Sequence, residues 1–183
     1  MARSSIFAAA KLHDGEMMTR VAGILALGLS VLLEALVVTP FCASSQALLA
    51  PLLLAAVVQI GAGLNAWRHE RILESVVLVA FGLFTCSQVS QLGNVSVTTA
   101  NFLAQGGFLL FWGLFASRIA VQTSDCGRSF HLLLAAAAMT LLFKGMVLIL
   151  AWPTLWAFPL LAGVLTFALA ILAGLRHLPA LRS

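Results

Sequence analysis

Apolar and polar positions alternate along this chain in long blocks, because six apolar stretches are separated by short polar segments. Each stretch is about 20 residues long, the length that an α-helix needs to cross the hydrocarbon core of a bilayer. Since the connections are short, consecutive helices should run antiparallel and pair as hairpins. The pattern therefore predicts an all-α integral membrane protein with six transmembrane helices in three antiparallel hairpins, over residues 21–41, 47–67, 72–92, 100–117, 129–151 and 154–175.

The basic residues give these helices a direction across the membrane. Segments rich in Lys and Arg stay in the cytoplasm, and the turns near Ser44, Asn94 and Trp152 contain neither residue. The pattern predicts an inner-membrane protein with both termini in the cytoplasm: a tail at 1–20, a transmembrane domain at 21–175 and a tail at 176–183. Nine of the ten basic residues form four clusters: Arg3, Lys11 and Arg20; Arg68 and Arg71; Arg118 and Arg128; Arg176 and Arg182.

Composition agrees with a lipid environment, since 62% of the residues are hydrophobic and only 9% are charged. A soluble domain of this composition would lack the polar side chains that cover a water-exposed surface. The net charge of +4 lies at helix ends, where anionic lipid headgroups attract it. The lipid bilayer is therefore the expected partner, and no nucleic acid is implied.

Small residues are expected where helices approach each other, because close packing replaces the hydrophobic effect as the attraction between helices in lipid. Gly61, Gly63, Gly106, Gly107, Gly113 and the alanine run at 135–138 provide such positions.

One face of the third predicted helix carries polar side chains at membrane depth. Glu74, Phe81, Thr85 and Gln88 are spaced so that they share this face, with Phe84 and Gln91 close to the same line. The stripe is interpreted in two ways: as a wall of a polar pathway, or as a helix–helix interface with amide hydrogen bonds. Gln59 in the second helix is likewise either a pore amide or part of an interhelical hydrogen bond.

Two charged residues lie deep in predicted helices. Glu34 comes thirteen residues into the first helix and Lys144 fifteen residues into the fifth, so the two are at similar depth and an ion pair between them is one interpretation. Snorkelling of the long Lys144 side chain toward the outer headgroups is the favoured alternative. Glu34 should be paired, hydrated or protonated, because a charge at this depth is costly.

The chain shows no constellation typical of catalysis or metal binding. It contains no nucleophile–base motif, metal-binding helix motif or glycine-rich phosphate loop. Cys42, Cys86 and Cys126 have neither CxxC spacing nor a Cys/His ligand spacing. We therefore predict no enzyme activity, no cofactor, no metal and no disulfide.

The second and third helices contain Gln-Ile-Gly-Ala-Gly-Leu at residues 59–64, a basic residue at Arg68 and Phe-Gly-Leu-Phe at residues 81–84. Without a gap, these segments resemble the Gln-x-x-Ala-Gly, basic-residue and Tyr-Gly-x-Phe-Trp sequence of the succinate/acetate permeases, the acetate uptake transporter family. The resemblance implies a six-helix protomer that assembles as a hexamer. It also implies a central pore in each protomer for acetate, succinate or related carboxylates.

By the same resemblance, the pore narrows at an apolar neck built from the first, third and fifth helices. The family's tyrosine falls on Phe81, its first-helix phenylalanine on Leu27 and its fifth-helix leucine on Ala135. Each residue here is smaller or lacks a hydroxyl, so the neck should be wider and less polar. Glu34, seven residues after Leu27, would then line the vestibule outside the neck, roughly level with Gln88. There it would either couple proton movement to carboxylate passage or mark a shift toward neutral or cationic substrates.

We therefore expect an oligomeric membrane permease or channel for small carboxylates, possessing a proton link if Glu34 serves that role. The alternative is a non-transporting scaffold or accessory subunit that keeps the same six-helix body. The substrate pathway is predicted to be lined by Leu27, Glu34, Gln59, Phe81, Phe84, Gln88 and Ala135.

Overall fold

The computed structural model of the protein describes residues 2–37, 45–93, 99–123 and 127–176. These residues form six α-helices and two short 3-10 turns, Ser45–Leu48 and Pro153–Trp156, and no strand occurs within the described ranges. All six helices include a stretch long and apolar enough to cross a membrane, so the predicted all-α membrane fold is confirmed. The helices are α1 (Ala2–Val37), α2 (Leu49–Arg68), α3 (Ile72–Gly93), α4 (Thr99–Gln122), α5 (Arg128–Leu150) and α6 (Ala157–Arg176).

Two helices are longer than the apolar pattern predicts. α1 begins at Ala2 and runs without a break into its apolar part, Gly15–Val37. α4 continues to Gln122, five residues past the predicted end, and passes through Arg118, whose side chain is exposed. A basic residue marks the membrane surface but does not end a helix, which explains both differences. The predicted turns near Ser44 and Asn94, together with Cys42 and Cys126, lie outside the described residues.

The helices pack as a ring in the order α3, α2, α1, α6, α5, α4. The most extensive backbone contacts are between α4 and α5, α2 and α3, and α1 and α6, with α5–α6 and α1–α2 next. α3 and α4 instead contact each other through large rings, since Phe84 lies 5.9 Å from Phe108 and 5.2 Å from Trp112 between ring centroids. The hairpins α1–α2 and α5–α6 therefore pack directly, and aromatic side chains fill the space inside the third.

Glycines allow the helices to approach closely in the α2–α3 and α4–α5 pairs. A Cβ atom built at Gly63 of α2 would lie 3.0 Å from the backbone nitrogen of Val79 in α3, and one at Gly106 of α4 would lie 3.0 Å from the carbonyl oxygen of Gly145 in α5. In contrast, Gly61 and Gly107 have nothing within 4 Å of the same position. Only one glycine of each neighbouring pair is therefore at a helix contact.

Ion pairs gather the helix ends at one end of the bundle, which we call the inner end. Arg20 of α1 contacts Glu74 of α3 at 3.0 Å, and Arg71 contacts both Glu74 at 3.2 Å and Glu16 at 3.1 Å. Glu74 therefore joins two helices at the mouth of the bundle.

The remaining helix ends meet at this inner end as well. Arg176 of α6 donates a hydrogen bond to Ser129 of α5, and His131 Nδ1 of α5 lies 2.7 Å from the carbonyl oxygen of Ala120 in α4. The four basic clusters thus have described members on one side of the bundle, as the charge pattern predicts.

α1, α3 and α5 form the centre of the bundle. Each buries half or more of its most apolar stretch, whereas α2, α4 and α6 bury about a third or less. The interior of the bundle therefore lies mainly between α1, α3 and α5.

Candidate functional site

The centre of the bundle is a closed apolar layer. Leu27 of α1 has no exposed surface, and Phe81 and Phe84 of α3 are 1% and 2% exposed; all three belong to one contiguous core cluster. Ala135 of α5 is partly buried and packs at the margin of this cluster. A water molecule therefore has no access to Leu27 in this arrangement.

Burial along α5 shows which face of this helix points to the centre of the bundle. Ala137 and Leu141 have no exposed surface and Lys144 is 1% exposed, so positions three and four residues apart define the buried face. Ala135 lies two residues before Ala137, about 200° around the helix axis, and therefore off the middle of this face. Ala135 therefore lies at the edge of the buried face of α5, and its role at the neck stays a prediction.

Gln59 joins α2 to α1 beside the apolar layer. Its Nε2 donates to the carbonyl oxygen of Ala26 at 3.1 Å and to Ser30 Oγ at 2.8 Å, while Ser30 donates to the carbonyl oxygen of Leu27 at 2.9 Å. Of the two interpretations of Gln59, the structure thus contains the interhelical hydrogen bond. Its Oε1 atom is buried and has no hydrogen-bond partner.

The polar stripe of α3 separates into residues with different surroundings. Glu74 is in the ion pairs of the inner end, Thr85 donates to the carbonyl oxygen of Phe81 in its own helix at 2.9 Å, and Gln91 is exposed. Phe84 contacts the rings of α4. The stripe is therefore neither a continuous polar wall nor a continuous amide interface.

Gln88 is the member of this stripe that stands apart. It has no exposed surface, and neither Nε2 nor Oε1 has a hydrogen-bond partner. An unsatisfied buried polar group costs about 1–3 kcal/mol, and Gln88 has two such groups. A residue that served packing alone would be apolar at this position.

Glu34 and Lys144 form a buried ion pair between α1 and α5. Lys144 Nζ lies 2.5 Å from Glu34 Oε2, and both side chains are 1% exposed. The preference for snorkelling was therefore wrong. Snorkelling needs a side chain that faces lipid, whereas Lys144 lies on the α5 face that meets α1. The carboxylate oxygen Oε1 of Glu34 has no partner.

The register of α1 and α3 puts the buried polar groups at one level. Glu34 follows Leu27 by seven residues, and Gln88 follows Phe81 by seven, which corresponds to about 10 Å along each helix. Both helices run in the same direction, away from the inner end. The ion pair and the unpaired amide of Gln88 therefore lie at similar depth, on the outer side of the apolar layer; we call Glu34, Gln88 and Lys144 the polar level.

No protein-family model and no curated protein sequence matches this chain. Among solved structures, the chain is similar to the bacterial acetate channel SatP, with a TM-score of 0.75 and 20% sequence identity over 86% of this chain and 89% of that one. This likeness extends through nearly the whole bundle. The fold that the sequence resemblance implies is therefore confirmed.

Proposed function

We propose that this protein is a channel or permease for small carboxylates in the inner membrane, with the inner end of the bundle and both termini in the cytoplasm. Its fold is that of a protein described as an acetate channel, and its six apolar helices suit a multi-pass membrane protein. Family resemblance favours a homo-oligomer, with a hexamer as the implied state. In each protomer the pathway would pass Leu27, Phe81, Phe84 and Ala135 at the neck and Gln59, Glu34 and Gln88 beside it.

The observation that carries this proposal is the unpaired, fully buried amide of Gln88. In a channel this cost is offset when the passing carboxylate, or water that accompanies it, accepts from Nε2. Such a contact is weak enough for the substrate to leave again, as conduction requires. Gln59 Oε1, beside the neck, is a buried acceptor that water accompanying the substrate could donate to.

Labelled acetate flux into liposomes that contain the purified protein tests the proposal. We expect saturable uptake above that of protein-free liposomes. A non-transporting scaffold, the alternative, is favoured by the tight closure of the layer at Leu27 and Phe81. If liposomes that contain the protein neither take up nor release acetate faster than protein-free liposomes, the result would support the scaffold and exclude the channel.

Phe81→Tyr should lower the half-saturation concentration for acetate by about tenfold or more. The added hydroxyl lies in the packed layer, where it lacks a partner in the closed protein and donates to a carboxylate during passage, so binding gains a charge-assisted hydrogen bond worth about 1.5–3 kcal/mol. The test measures uptake of acetate and of neutral acetamide by Phe81→Tyr and by the unaltered protein. Equal changes for the two solutes would argue against a contact between position 81 and the carboxylate.

Gln88→Leu should increase stability and decrease transport. Removing two unsatisfied polar groups should raise the free energy of unfolding by about 1–3 kcal/mol, while acetate flux falls because the amide contact is lost. Gln91→Leu is the matched control, since Gln91 is an exposed amide on the same helix. If Gln88→Leu leaves flux unchanged, Gln88 does not contact the substrate.

A further inference from the structure

The buried ion pair has unused bonding capacity on both partners. A Lys ammonium carries three N–H donors, and Lys144 Nζ makes its hydrogen bond to Glu34 Oε2. Glu34 Oε1 is buried with no partner. Two ammonium N–H groups and one carboxylate oxygen are therefore directed into the interior without a bond.

The pair is also isolated from other charges. The outer halves of α2 (residues 49–59), α3 (82–93), α4 (99–112) and α6 (157–166) contain no Asp, Glu, Lys, Arg or His. Cys86 of α3, which is half-buried, is the other titratable side chain in these stretches. In the described part of the outer half, Lys144 is thus the positive charge available to an anion that has entered the bundle.

A purely structural role explains this pair poorly. Replacing a buried ion pair by apolar residues of similar volume is often neutral or stabilising, because removing two charges from water costs more than their attraction returns. A pair that retains unbonded donors and an unbonded acceptor contributes little to the stability of the contact between α1 and α5. It does, however, have the composition of a carboxylate-binding site that already holds a carboxylate.

We propose that Lys144 binds the carboxylate of the substrate, and that Glu34 is an internal carboxylate that occupies Lys144 when substrate is absent. This inference rests on the proposed carboxylate channel and assigns its binding residue. The amide Nε2 of Gln88, at the same level, donates a hydrogen bond to the second oxygen of the substrate carboxylate.

The exchange is balanced in charge when the substrate arrives as the neutral acid. The acid gives its proton to Glu34, its carboxylate binds the Lys144 ammonium, and the protonated Glu34 leaves the ammonium. One neutral acid, one ammonium and one carboxylate are present before and after the step. Without the proton, two carboxylates would share one ammonium in a low-dielectric interior, which is strongly unfavourable. Passage through this site therefore carries one proton with each carboxylate.

Binding of ¹³C-acetate to the purified protein, followed by NMR titration, tests the assignment. Glu34→Gln removes the internal competitor and should lower the acetate dissociation constant about tenfold or more, since a competitor that fills a site nine-tenths of the time weakens apparent affinity tenfold. Glu34→Gln/Lys144→Met should lose saturable binding. Glu70→Gln, which neutralises an exposed carboxylate in the inner loop, should bind as the unaltered protein does.

A second measurement keeps the test valid if Glu34→Gln folds poorly. Acetate should raise the thermal unfolding temperature of Glu34→Gln more than that of the unaltered protein, and should not raise that of the double variant. Acetate binding by Glu34→Gln that equals or falls below that of the unaltered protein, with no such thermal shift, overturns the assignment.

The two proposals fail in different ways. If the unaltered protein transports acetate but Glu34→Gln shows unchanged affinity, the channel stands and Lys144 is not its binding residue. If Glu34→Gln binds acetate tightly but neither protein transports it, the binding site stands and the channel does not.

Discussion

Lys144→Met is expected to lower the free energy of unfolding by about 3–5 kcal/mol, because it leaves the Glu34 carboxylate buried without a partner. Met has a similar length and fills a similar space, so little of this loss should come from packing. Titration with SDS in mixed micelles, followed by tryptophan fluorescence, measures the effect. Trp112 reports on the α3–α4 contact through its 5.2 Å approach to Phe84.

The control for this prediction removes both charges. Glu34→Gln/Lys144→Met leaves no buried charge, so it should recover most of the stability that Lys144→Met loses. Similar instability in the single and double variants would mean that Lys144 acts through its packing. A double variant that is stable but lacks acetate binding would separate the stability effect of the pair from its role as a site.

The spans were predictable from sequence, whereas the rotation of each helix about its axis was not. In water, polar residues mark the outward face of a helix. In lipid, apolar residues cover both faces, so α5 carries four consecutive alanines at 135–138 with no signal to say which faces inward. The structure resolves this, since Ala136, Ala137 and Ala138 are buried and Ala135 only partly.

The same missing signal explains the outcome for Lys144. Depth follows from counting residues, so the sequence correctly placed Glu34 and Lys144 at one level. Whether Lys144 faces lipid or protein depends on the rotation of α5 about its axis, which counting residues does not give. With Ala137 and Leu141 as the buried face, Lys144 points toward α1 by ordinary three- and four-residue spacing.

Two features of the bundle centre could be predicted only in part from sequence: the unpaired amide of Gln88 and the aromatic contact between α3 and α4. Gln88 was placed on a polar face, but its lack of any partner depends on what surrounds it, which the sequence does not state. The aromatic contact between α3 and α4 has a local signal in Phe108 and Trp112, which are four residues apart and share a face. Their partner, Phe84, lies on α3, so this contact could be recognised only once the fold was known.

Gly106→Ala is expected to destabilise the bundle by about 1–3 kcal/mol, as overpacking of a tight contact does. The added methyl group would lie 2.6 Å from Ile149 Cγ1 and 3.0 Å from the carbonyl oxygen of Gly145. The side chain of Ile149 can move, but the backbone of α5 moves only if the two helices separate. The SDS titration used for Lys144 measures this loss.

Gly107→Ala is the matched control, because the same methyl group at the next residue of the same helix meets nothing within 4 Å. It should be neutral or stabilising by up to about 1 kcal/mol, since alanine favours the helix over glycine. The α2–α3 contact offers an independent repeat, in which Gly63→Ala should destabilise and Gly61→Ala should not. Equal effects within either pair would contradict the helix rotations described above. Because α4 and α2 support the central helices from outside, the loss at Gly106 and Gly63 should also loosen the closed layer and raise acetate leakage.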